Sequence, residues 1–168
     1  MTATPEILAW LLVGTQLLIF GTAAFALIAG ADGSSHGMTR LWRGLALVIV
    51  VVTPLRFLTV AAGMASTSVG DVLPFVPQII RETFAGRMWE LRSGAAILLA
   101  LAAWIPARPT RVAATIVAIS GALLIFQSIT SHAVDKGVFA MTMHCAHQAA
   151  AGLWLGALVS MLIGASYD

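Results

Sequence analysis

Between Pro5 and Gly164 the sequence falls into apolar runs joined by connections too short to hold a folded domain of their own. A helix needs roughly 20 apolar residues to cross the hydrocarbon of a bilayer, and several of these runs meet that length. No water is present there to satisfy exposed peptide groups, so runs of this kind fold as helices and pack into a bundle. Composition agrees: of 168 residues 60% are apolar and 10% charged, with a mean hydropathy of +0.96. The sequence therefore predicts an all-α, polytopic membrane helix bundle, occupying residues 1–168 as a single membrane domain in contact with lipid.

Five spans are expected, at about residues 5–31, 41–65, 88–105, 112–131 and 138–164, with an interfacial segment at about 72–87. The first opens on Pro5, which a first turn tolerates, and stops at "GADGSSHG". The amino-terminal stretch has no basic region ahead of its apolar run, so it reads as a retained span rather than a cleaved leader. The second span contains Pro54 and Arg56. The first removes a backbone hydrogen bond and the second needs a partner, with Glu82 and Glu90 as the candidate counter-charges. Arg92 is expected to reach the interface with its charged tip. Between the second and third spans, two prolines and mixed charges surround Ile79, Ile80 and Phe84 at helical spacing, the pattern of a helix lying along the membrane surface.

The nine basic residues give a net charge of +2 and are scattered over short connections. No basic patch forms, so nucleic acid is not an expected partner. The basic residues also divide almost evenly between the two sides of the bundle, and the reading adopted places the amino terminus outside. Motifs for hydrolytic chemistry such as HExxH and GxSxG are missing, so the sequence is not read as an enzyme.

The chemistry concentrates in "MTMHCAHQ", Met141 to Gln148. On a helix Met141, Met143, His144, His147 and Gln148 fall within an arc of roughly 160°. Cys145 lies outside it, on a stripe with Ala149, Gly152 and Gly156 where small residues let a neighbouring helix come close. The preceding span ends in Gln127, Ser128, Ser131 and His132, and the short connection brings that end beside His144; Met64, closing the second span, lies at a similar level. Any one methionine in such a chain is more often core filler than a ligand. Imidazoles gathered at one membrane edge are a different matter, since ionisable groups are costly there. The expected metal site is His132, His144, His147 and Met143. Imidazole with thioether suits copper, as Cu+ or Cu2+. The alternative is a b-type cytochrome, with histidines of the last two spans as axial ligands of haem b and an arginine on a propionate.

"SHAVDKG" followed by "HQAAAGLWLGAL" resembles the end of the copper resistance D (CopD) membrane domain. The shared pattern is His132-Ala133, then His147 seven residues before Trp154-Leu155-Gly156. Upstream, "ETFAGRMWELR" is similar to that family's Thr-Phe-Gly-Arg entry to the preceding span, at Thr83, Phe84, Gly86, Arg87 and Arg92. Ser131 stands where the family more often has glycine. The resemblance implies copper uptake or relay across the bacterial cytoplasmic (inner) membrane, with His132 and His147 as the residues carried over. It also implies a periplasmic copper-binding protein as partner and, for a single-domain version, a homo-oligomer.

Overall fold

The computed structural model describes residues 4–29, 36–131 and 134–165. All regular structure among them is helical: α1 (Thr4–Ile28), α2 (His36–Met64), α3 (Val76–Glu82), α4 (Phe84–Trp104), α5 (Pro109–Ile129) and α6 (Val138–Ala165). Short 3-10 turns precede α3 and α6. Four helices, α1, α2, α5 and α6, are long and apolar enough to cross a membrane. At 21 residues α4 equals α5 in length, but its first nine carry Arg87, Glu90 and Arg92.

α1, α2, α4 and α5 close a four-helix ring, each touching the next and α5 returning to α1, while α6 lies outside it against α1 and α5. One end of the bundle, here the near end, gathers the starts of α1, α4 and α6, the ends of α2 and α5, and the whole of α3. The far end holds the α4–α5 turn and the start of α2.

The joints follow from particular residues. Gly21 of α1 faces Gly152 and Gly156 of α6, two helices running in the same direction. A Cβ on Gly21 would stand 3.1 Å from the Gly156 Cα and one on Gly156 2.5 Å from the Gly21 Cα, with other backbone atoms nearer still. Only hydrogen fits, and the two backbones touch, as the small-residue stripe on α6 predicts. The indole N–H of Trp42, fully buried on α2, donates to Thr22 Oγ1 of α1 at 3.1 Å. At the far end Arg43 Nε donates to the Ala103 carbonyl (3.1 Å), supplying a cation and a donor to the last turn of α4, and its guanidinium lies 5.6 Å from the Trp104 ring.

The expected interfacial segment is divided. The α3 helix ends at Glu82, and Thr83, in extended conformation, serves both neighbours: its hydroxyl donates to the Ile79 carbonyl (2.8 Å) and accepts from the Gly86 N–H (2.8 Å). The cap starts α4 at Phe84, four residues ahead of the expected position, so residues 84–87 belong to the long helix. Gly86 lets α4 rest on the α3 backbone, since a Cβ there would meet the Ile80 Cα at 2.6 Å. The "TFAG" stretch is thus the elbow of a helix–helix turn. Elsewhere α2 begins at His36, five residues ahead of the expected position, and α5 spans 109–129.

Candidate functional site: a soft-donor face and a cationic cavity

The near end carries two polar features. The first is on α6, where the expected arc of donors is split between two faces. Met143 is 53% exposed and His147, one turn on, is exposed as well. They share the outward side of α6 with Phe139, Trp154, Leu158 and Met161, which makes α6 the least covered of the four apolar spans. His144 and Gln148 lie on the adjacent, inward side, where His144 is half-buried and Gln148 buried. Cys145 is an unbonded, half-buried thiol on the side that faces α1. His132 lies outside the described residues. Met64 is exposed at the end of α2. Among the described residues no three His, Cys, Asp or Glu side chains cluster to hold a metal, so His144, His147 and Met143 do not by themselves form a closed cage.

The state of His144 depends on its neighbour. The Gln148 side-chain nitrogen is 3.1 Å from His144 Nε2, and Gln148 Oε1 accepts from the Ser128 hydroxyl of α5 at 3.4 Å. In this arrangement the amide donates to Nε2, so the neutral ring keeps its proton on Nδ1 and offers no free lone pair. Rotating the Gln148 amide by half a turn exchanges the roles: Nε2–H donates to Oε1, and Nδ1 becomes a free ligand atom. Gln148 thus sets whether the ring offers a free nitrogen to a ligand.

The second feature is a cavity of about 200 Å³ at the near end of the four-helix ring. Its polar wall is Arg56 of α2, Trp89 and Arg92 of α4, and Gln127 with Thr130 at the end of α5; Leu12 of α1 contributes to the apolar side. Arg92 does not reach outward as expected. It is 3% exposed, with its guanidinium 4.3 Å from the centre of the Trp89 ring. One terminal nitrogen donates to Gln127 Oε1 and the other to Thr130 Oγ1 at 3.3 Å, while Nε has no partner. Stacking on indole and a forked bond to neutral oxygens hold the group in place without neutralising it. Arg56 donates to Thr59 on its own helix at 3.0 Å.

The acids expected to balance Arg56 are elsewhere. Glu82 accepts from Gln78 (2.9 Å) on the exposed side of α3, Glu90 is exposed, and no carboxylate is among the described residues lining the cavity. Deeper in the bundle Gln16 of α1 is fully buried with neither side-chain polar atom bonded. Counting back from the Gly21–Gly152 contact along parallel helices places it at about the depth of His147.

Arg92 was legible as a buried residue. Trp89, Arg92, Ala96, Leu99 and Ala103 recur at spacings of three and four, one inner stripe of α4. Gln16 carried no such signal, because α1 is apolar on every side.

These features define a multi-pass helical membrane protein with a cationic cavity at one end and sulfur and imidazole donors on its outermost helix. The chain belongs to the family described as copper resistance protein D-like, N-terminal domain, whose model matches residues 3–141. The matched stretch runs from α1 into the first turn of α6. It includes Arg56, Arg92 and His132 and stops before Met143, His144 and His147. No curated protein and no solved structure matches the chain. It is therefore a copper-resistance membrane protein by family.

Proposed function

We propose that the protein binds copper at the outer rim of the bacterial cytoplasmic membrane and relays it to or from another chain through α6. In this reading the near end faces outward and α4 is a fifth span, with Arg92 buried in the bundle and Arg87 and Glu90 exposed towards the headgroup level. Met143 and His147 supply a thioether and an imidazole one turn apart on an open face. His144 stands behind them and His132 on the preceding connection. Thioether favours Cu+, and imidazole accepts either oxidation state. The observation that carries the reading is the exposure of Met143 and His147 together: a donor pair that points away from its own bundle is suited to a metal held jointly with a partner. A periplasmic copper carrier or a second copy of this chain would complete the coordination.

The same reading keeps copper out of the four-helix ring. A bare cation entering there meets Arg56 and Arg92 with no acid among the described residues lining the cavity, and repulsion in a partly dry site is strong. The test is the copper content of detergent-purified protein, wild type beside His147→Ala and Met143→Leu. Wild type should bind copper in stoichiometric amount. Losing a ligand should weaken binding by more than the roughly 10–100-fold typical of losing a mere supporting bond. Copper loading that both variants leave intact would remove α6 from the proposal. A Soret band in the purified protein would replace copper with haem.

A further inference from the structure

We propose that the near-end cavity is a binding site for a phosphate group, supplied by the headgroup of an anionic phospholipid or by a soluble phosphate. Two guanidinium groups share this space, and all the groups that Arg92 touches are neutral: a glutamine, a threonine and an indole. Two uncompensated positive charges inside a helix bundle repel each other and are costly to keep there. A resident anion relieves both penalties. Arg92 is held rigid with its Nε–H unspent and Arg56 has bonds to give, so both retain donors for a ligand.

The number and shape of these donors select the ligand. A guanidinium fork takes up both oxygens of a carboxylate, whereas a tetrahedral phosphate has oxygens left for a second fork. Depth points the same way. Arg56 lies eight positions from the near end of α2 and Arg92 eight from the start of α4, each about 12 Å along its helix. The rest of the polar wall comes from the last residues of α5, and Ala85, the second residue of α4, also lines the space. The cavity thus lies towards the headgroup level of a bilayer, where basic pockets between spans take lipid phosphates. A volume of about 200 Å³ holds one phosphate group with part of what it is attached to.

The site does not involve α6 or copper, so it is tested on metal-free protein in a neutral detergent. Native mass spectrometry with phosphatidylglycerol, against phosphatidylcholine, reads the lipid source. Thermal unfolding with inorganic phosphate, against chloride at matched ionic strength, reads the soluble one. The variant is Arg56→Gln, because the only hydrogen bond described for that side chain is to its own helix. Ala85→Leu is a second, charge-preserving change that fills the cavity.

If the source is lipid, phosphatidylglycerol is retained preferentially and each variant lowers that preference about fivefold or more. If it is soluble, inorganic phosphate alone raises the unfolding temperature of wild type, and both variants abolish the rise. The proposal is overturned if wild type responds to neither probe, or if its response survives both substitutions. Copper loading of the same variants is expected to match wild type, so failure here and failure of the copper reading are separate results.

Discussion

Replacing Gly156 with alanine adds one methyl group at the point where α1 and α6 are closest. That Cβ would stand 2.5 Å from the Gly21 Cα and nearer still to other backbone atoms, while carbon atoms pack comfortably at about 3.5–4.0 Å. Backbone cannot swing aside as a side chain can, so α6 must back away by about 1 Å. A gap of that size forfeits a quarter to a half of each contact across the joint, and a contact is worth only about 0.1–0.2 kcal/mol. Over on the order of 50 atom pairs the loss is about 1–5 kcal/mol. Lipid offers no hydrophobic force to restore the joint, because the helices leave one apolar medium for another. The assay is unfolding in mixed micelles with increasing SDS, followed by circular dichroism. Gly14→Ala and Gly164→Ala are the controls, since an added Cβ meets nothing within 4 Å at either position. Those two should match wild type or exceed it slightly, as alanine favours the helix. Equal stability of all three variants would refute the backbone contact between α1 and α6.

Three further outcomes follow from other joints. Trp42→Phe removes the N–H that reaches Thr22 and leaves a void in place of the second ring of a fully buried indole, and should cost about 1–3 kcal/mol in the same assay. Thr83→Ala removes the cap on Gly86 and should cost about 1 kcal/mol, read as loss of protection from hydrogen exchange confined to α3 and the first turn of α4. Arg92→Lys keeps the charge but loses the fork on Gln127 and Thr130 and the flat face on Trp89; a drop of about 2 kcal/mol is expected, and wild-type stability would show that charge alone suffices there.

The sequence announces the helices because each apolar run is long and its ends are marked by Pro, Gly or charge. It hides α4 in part, because Arg87, Glu90 and Arg92 interrupt the apolar signal just where the helix starts. The elbow at Thr83 was visible only as a motif; its role depends on Gly86 meeting the α3 backbone, which no spacing rule states. Likewise the stripe of Gly152 and Gly156 indicates a close neighbour without naming Gly21. On α6 the arc of donors is correct as an angle, yet an angle does not say which edge faces inward. That is decided by where the glycines dock, and docking turns His144 towards Gln148 and leaves Met143 and His147 outside. Arg56 and Arg92 are conspicuous one by one. Their meeting in one cavity requires α2 and α4 to be neighbours, a fact about the ring of helices rather than any segment.

The glycine joint between α1 and α6 also dictates an order of assembly. α1 is made early, yet the surface its Gly21 is shaped to meet belongs to a helix that emerges only after α2, α4 and α5 have been inserted. During synthesis that groove has no partner from this chain until Gly152 and Gly156 have been made. The α1–α6 joint therefore closes only once α6 has emerged, and the imidazole and thioether donors of α6 take their positions in the same step.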